Sequence, residues 1–125
     1  MNNLNSILIE GSMLAEPDFS TTSNGTPVCN FSLSSNRFYR KRDDMVREIS
    51  HFDLQAWGKL AESVKNLGHK GREIRVTGRL KQERWNDKEG NQRSKTVIVS
   101  EHIEFRPEQR DAFSAEDSGE TALAG

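Results

Sequence analysis

Trp85 sits in the run Arg84-Trp85-Asn86-Asp87-Lys88, with Arg79, Lys81, Arg93 and Lys95 close by in the chain. Phe38-Tyr39 sits between Arg37 and the run Arg40-Lys41-Arg42. Flat rings interleaved with cations suit one kind of chemistry. Rings can stack on unpaired bases while the cations track phosphates. Stacking tolerates any sequence, because every base has a π-face, and each stack is worth about 1–3 kcal/mol.

Each of these residues also has a plainer reading. Trp85 could pack on its own hairpin, although the cations around it favour nucleic acid. Adjacent aromatics usually split, one inward and one outward. Tyr39 is therefore assigned to the nucleic acid and Phe38 to packing. The basic run could equally be a solvated loop. Trp57 shares a strand face with His51, Asp53 and Gln55, opposite Phe52, Leu54 and Ala56. That polar company suggests a surface platform; a bulge that inverts the register would make Trp57 a core residue instead. His51 is a stacker, a solvent-facing bystander or a metal ligand. The metal reading is poor, because His51, His69 and His102 are scattered and one cysteine cannot complete a zinc set. No cofactor and no metal are expected. No Walker loop, G-x-S-x-G or H-E-x-x-H occurs, so no enzyme is expected. Asp43, Asp44 and Glu48 could in principle hold a metal, but among arginines they read as salt-bridge partners.

The elements that must position these residues follow from the patterning. Residues 4–14 hold Ile7, Leu8 and Ile9 and read as a strand, with Gly11 as a bulge or bend. Glu16-Pro17-Asp18 breaks it. Residues 20–27 are a turn cluster with the hairpin signal Asn24-Gly25. Residues 28–36 alternate, with Cys29, Phe31 and Leu33 on one side. Residues 37–47 are charged and read as a long hairpin loop. Residues 48–57 alternate again. Leu60, Ala61, Val64 and Leu67 form one apolar stripe, a helix that Gly68 can cap. Residues 73–82 return to strand, with Ile74, Val76, Gly78 and Leu80 inward. Residues 86–91 turn, and residues 94–105 form a last strand rich in β-branched side chains. The order is three strands, one helix, two strands. That is the arrangement of an all-β, five-stranded OB-fold Greek-key barrel with one short helix between strands 3 and 4. A five-strand α+β sheet would read almost the same.

The 125 residues suit one domain over residues 1–106, followed by a short acidic flexible tail over 107–125. The net charge of -1 hides an asymmetry. Residues 1–106 hold 17 Lys/Arg against 14 Asp/Glu, and residues 107–125 hold one Arg against five acids. The body is mildly basic and the tail acidic. Cys29 is the single cysteine, which fits a reduced, cytoplasmic setting. No signal peptide and no run of about 20 apolar residues is present, so no membrane contact is expected.

Several ordered motifs resemble bacterial single-stranded-DNA-binding proteins. They are Leu8-Ile9-Glu10-Gly11, Asn24-Gly25, Asn30-Phe31-Ser32-Leu33, Gly58-Lys59-Leu60-Ala61-Glu62, Lys70-Gly71, Val76-Thr77-Gly78-Arg79-Leu80 and Arg84-Trp85-Asn86-Asp87 with Gly90. The likeness spans residues 4–106. It implies an OB-fold that assembles as a homotetramer, or sometimes as a dimer of two-barrel chains, and wraps single-stranded DNA. It places four aromatic platforms on Tyr39, Trp57, Trp85 and His51. Phenylalanine is more usual at the Trp57 position and tryptophan at the His51 position. Phe52 falls where the family makes a subunit contact. Cationic positions fall on Lys59, Lys70 and Arg84, and Arg37, Arg40 and Arg79 join them by charge and place. The family's acidic tip closes on Pro-Phe and docks replication and repair proteins. This chain ends Leu123-Ala124-Gly125, so Asp111, Glu116, Asp117 and Glu120 keep the acidity and Phe113 is the one candidate anchor.

The function expected is sequence-tolerant binding and protection of single-stranded DNA in replication, recombination and repair. Competing readings are a primosome-type adaptor that acts through protein contacts, a small nuclease using Asp43, Asp44 and Glu48, and an RNA-binding OB module.

Overall fold

The computed structural model describes residues 1–108. Its elements follow in the order β1 (Ile7–Met13), β2 (Asp18–Thr21), β3 (Pro27–Lys41), β4 (Asp44–Trp57), α1 (Lys59–Leu67), β5 (Glu73–Asn86) and β6 (Gln92–Phe105). The sheet runs β1-β5-β6-β4-β3-β2, and β1 also pairs β3. That extra pairing, Ser12 with Ser34 and Met13 with Leu33, closes five strands into a barrel. The short β2 stays outside the closure, paired to β3 alone. Strand β4 meets β6 in parallel, with Leu54 opposite Ile98 and Gln55 opposite Val99. This is the expected OB architecture, with the helix between the third and fourth long strands.

Period-two alternation builds the interior. Cys29, Phe31 and Leu33 of β3 are buried, as are Leu54 and Ala56 of β4 and Ile74 and Val76 of β5. Met13, Ile98 and Ile103 complete the core from β1 and β6. Helix α1 adds Ala61 and Val64 to it. The expected stripe stops there. Leu67 is the helix's last residue and is 45% exposed. Beyond it Gly68 turns extended, its N–H donating to the Val64 carbonyl at 2.8 Å, and Gly68 rather than Leu67 lies against the buried Met13 side chain. Burial pushes the Cys29 thiol up to about 11, with Asp18 adding to the rise, so it stays protonated and inert.

Two glycines mark where backbones come too close for a side chain. A Cβ at Gly11 would overlap the Ser34 carbonyl oxygen, at the place where β1 passes from β5 to β3. A Cβ at Gly78 would overlap the Val99 carbonyl oxygen, where the β5–β6 register shifts between Thr77 and Gly78. Such a bulge bends the pair and helps the barrel close.

Residues 37–47 correct the expected loop. β3 and β4 stay paired from Val28 opposite Trp57 to Lys41 opposite Asp44, leaving Arg42-Asp43 as the turn. Opposed partners replace apolar alternation as the reason. Arg37 faces Glu48, with their charged groups 3.8 Å apart, and Tyr39 faces Val46. Cross-strand pairs of this kind stabilise a ribbon without a core beneath it. Residues 18–21 form β2 where only a break and turn were expected, although the turn before β3 falls at Asn24-Gly25 as expected. Leu80, expected inward, is 46% exposed, because β5 runs on past the Gly78 bulge into a second long ribbon. Among the described residues, no helix is long and apolar enough to cross a membrane.

Candidate nucleic-acid interface

Register sorts the outer surface of the barrel. Strand β4 turns His51, Asp53, Gln55 and Trp57 outward, since Leu54 and Ala56 point in. Gln55 lies beside Val99 of β6. On β6, Val99, Val97, Lys95 and Arg93 face Arg79, Lys81, Glu83 and Trp85 of β5. Trp57 and Trp85 therefore belong to one continuous outer face, β4–β6–β5, and are 40% and 46% exposed. Both are surface rings, as expected, and Trp57 is not a core residue. The Gln55 side-chain amide donates to Glu83 Oε2 at 2.7 Å, spanning β6. Val97 and Val99 are buried beneath that bridge although they point outward. His51 is exposed on the same side of β4, opposite Ser34 of β3.

Tyr39 is not gathered with them. Its parity along β3 matches Leu33, so it lies on the ribbon side of Phe52 and Val46, away from His51 and Trp57. It is half-buried, with the Arg37 guanidinium 4.9 Å from its ring centroid. Phe38, assigned above to packing, is 62% exposed. It faces Arg47 on the His51 side of the ribbon, where no second layer covers it.

The cations divide by pairing. Arg79 meets Glu101 at 3.3 Å, Arg75 meets Glu10 at 3.1 Å, and Arg93 meets Asp87 at 2.9 Å. Among the described residues, Arg40, Lys41, Arg42, Lys59, Lys70, Lys81, Arg84 and Lys95 stand in no ion pair. Arg84 precedes Trp85 on β5, opposite Ser94, and donates to Gln82 Oε1 at 2.6 Å. Lys59 opens α1 two residues after Trp57, and Lys70 follows the helix's other end, so the two do not converge. A groove of about 360 Å³ on the outer side of β3, β4 and β6 has Glu16, Asp18, Asp53 and one cation, Lys95, at its wall. Its sign is wrong for phosphate. Most of the unpaired cations lie on the ribbons beyond it.

At the β5–β6 turn, the Asp87 carboxyl is held below the usual carboxylate range by the Asn91 backbone N–H and then by Arg93. That fixes the hairpin carrying Trp85. Asp43, Asp44 and Glu48 gather no metal set, since no group of three His, Cys, Asp or Glu among the described residues could hold an ion. Glu48 is committed to Arg37.

One polar cluster left no mark in the sequence. Arg72 is 4% exposed, donating to Glu108 Oε1 at 2.9 Å and to the Arg106 carbonyl at 2.9 Å, and its guanidinium lies 5.4 Å from the Phe105 ring centroid. Its partners are 36 and 34 residues away, so no local pattern announces it. His69 Nε2 also reaches Glu108 at 3.2 Å. The cluster anchors the end of β6, and His69 Nδ1 also reaches the backbone carbonyl of Lys70, a candidate phosphate position, at 2.9 Å. Asp111, Phe113, Glu116, Asp117 and Glu120 lie outside the described residues.

A closed five-stranded barrel with one helix and two projecting ribbons defines the OB-fold class of small binding barrels. The sequence matches the single-strand binding protein family over residues 4–106. It is 40% identical over 101 residues to the single-stranded DNA-binding protein of Aquifex aeolicus (strain VF5), covering 80% of this chain and 68% of that one. It is 30% identical over 124 residues to the single-stranded DNA-binding protein of Borreliella burgdorferi, covering 98% of this chain and 83% of that one. In fold it is similar to the Plasmodium falciparum SSB in complex with ssDNA, with a TM-score of 0.78 at 23% identity, over 86% of this chain and 98% of that chain. The chain belongs to the single-strand binding protein family. Membership places it among non-enzymatic DNA-binding proteins, and the nuclease reading falls with it.

Proposed function

We propose that this chain binds and protects single-stranded DNA, without sequence preference, during replication, recombination and repair. The observation that carries the proposal is the outer face β4–β6–β5. It presents Trp57 and Trp85 to solvent together, and unpaired Lys81 and Lys95 share that face. Trp57, Trp85 and His51 stack on bases. Arg40, Lys59, Lys70 and Arg84 neutralise phosphates along the path. Arg79 joins them once its bond to Glu101 is exchanged for one to phosphate. Arg37 and Tyr39 form a joined pair on the reverse of the β3–β4 ribbon, where a wrapped strand would meet them.

The same reading gives the remaining assignments. Residues 1–106 are the binding domain and 107–125 an acidic tail that docks replication and repair proteins. The working unit is a homotetramer in the bacterial cytoplasm, on the nucleoid.

Tryptophan fluorescence during titration with a long thymidine oligomer tests the proposal, with duplex of equal length as the control. Strong quenching by the single strand only is the expected result. No quenching, or equal response to duplex, would assign both rings a structural role and favour the adaptor reading. Trp85→Ala should weaken single-strand affinity by about 5- to 100-fold while leaving the fold intact, because the ring is exposed.

A further inference from the structure

We infer that Phe38 is a base-stacking platform on the β3–β4 ribbon, on the same side as His51 and Trp57. The inference rests on the single-strand reading above and names a residue that the sequence pattern assigns to packing and the family resemblance does not single out.

Three observations carry it. First, register. β3 and β4 pair without a slip from Val28 opposite Trp57 to Lys41 opposite Asp44. Side chains alternate along an unbroken ribbon, and directly opposed residues share a face. Phe38 opposite Arg47 therefore lies on the face of Ser34 opposite His51 and of Val28 opposite Trp57. Tyr39 opposite Val46 lies on the other face, with Leu33 and Phe52.

Second, exposure. Phe38 is 62% exposed, against 40% for Trp57 and 46% for Trp85. It is more open than either expected platform. Tyr39 is half-buried beneath Arg37, whose guanidinium lies 4.9 Å from the ring. A ring already covered by a cation on one side offers less surface to a base than a bare one.

Third, charge. Arg40 follows on the same face as Phe38, opposite Met45, and stands in no ion pair among the described residues. Arg47 faces Phe38 directly and is held by a bond from its Nε to Asn36 Oδ1 at 3.2 Å. A stacked nucleotide there would find phosphate partners on both flanks. A purely apolar partner would have to desolvate both guanidinium groups. This favours a nucleic-acid strand over a protein contact at Phe38.

The test uses the full chain and a long thymidine oligomer. Phe38→Leu keeps apolar bulk and removes the π-face; Phe38→Trp keeps the π-face. Phe38→Leu should weaken affinity by about 5- to 100-fold with an unchanged melting temperature, and Phe38→Trp should bind at least as tightly as the parent. Ultraviolet cross-linking of the parent to the oligomer should place a thymine adduct on Phe38. Parent-like affinity in Phe38→Leu, while the parent binds normally, overturns the inference and leaves the single-strand reading standing. Failure of the parent to bind the oligomer overturns both. A drop in assembly mass in Phe38→Leu, with no adduct at Phe38 in the parent, would assign the ring to contact between copies and overturn the inference as well.

Discussion

Arginine does opposite things on two sides of this barrel. On the side built by β1, β5 and the end of β6, Arg75 meets Glu10 at 3.1 Å and Glu104 at 3.8 Å, and Arg106 meets Glu104 at 3.4 Å. Arg72 is buried beneath them on Glu108. On the two projecting ribbons Arg37 pairs with Glu48 and Arg93 with Asp87, but Arg40, Lys41, Arg42, Lys81, Arg84 and Lys95 stand in no ion pair among the described residues. A buried, paired guanidinium such as that of Arg72 has given its charge to the fold. An unpaired one keeps it for a ligand. A net charge of -1 conceals this division, because it counts both kinds alike.

The ribbon tip should show the largest effect. Replacing Arg40 and Lys41 by Gln and Arg42 by Asn removes three cations, and Asn tolerates the left-handed φ of 57° at position 42. Single-strand affinity near 0.1 M salt should fall by about 10- to 100-fold. The slope of log affinity against log salt should shrink by about 2, at roughly 0.7 for each phosphate no longer neutralised. The melting temperature should barely move. Titrations at several salt concentrations check this, and an unchanged slope would erase the distinction between the two sides.

The buried side should fail in stability instead. Arg72→Ala strips partners from Glu108 and from the Arg106 carbonyl and should destabilise the fold by about 2 kcal/mol. Its single-strand affinity, measured well below the lowered melting point, should match the parent. A loss of affinity without a loss of stability would put Arg72 in the interface and break the comparison. Arg75→Ala should do less, below about 1 kcal/mol, since the side chain is 44% exposed and its ion pairs are solvated. Chemical denaturation of both variants gives the two values side by side.

Much of this division is invisible to local pattern. Alternation at Cys29, Phe31 and Leu33 and the stripe at Ala61 and Val64 were legible, because each side chain's burial follows from neighbours two to four positions away. Trp57 was legible as a surface ring for the same reason, and Trp85 because the polar hairpin around it offers no core to fill. The strand over residues 37–41 was not, since it is held by cross-strand pairs such as Arg37 with Glu48 rather than by apolar period. Which of Phe38 and Tyr39 faces His51 depends on an unbroken register that no residue type announces. The Gln55–Glu83 bridge joins residues 28 apart, and only the order β4-β6-β5 brings them together.

The smallest expected effect lies at the border of the paired side. The His69 imidazole is raised above its ordinary range by hydrogen bonding to the Lys70 carbonyl and then to Glu108. A group raised on folding stabilises the native state most when protonated in both states. The contribution is thus complete below about pH 6.5, the unfolded value. It fades as pH rises through the higher folded value. The parent should therefore lose a little melting temperature between pH 6 and pH 8 that His69→Gln does not lose. Asp87 has the opposite sign: its depressed carboxyl adds stability above the usual carboxylate range, and that is lost only as pH falls well into acid. The two titrations thus fall in separate windows, and melting curves across pH resolve them. Single-strand affinity should follow neither His69 titration nor its removal, because the imidazole bonds Glu108 and the Lys70 backbone carbonyl, not the Lys70 ammonium assigned to phosphate. Affinity that tracked His69 would mean that the paired side also meets DNA, and the partition of cations by pairing would fail at its own edge.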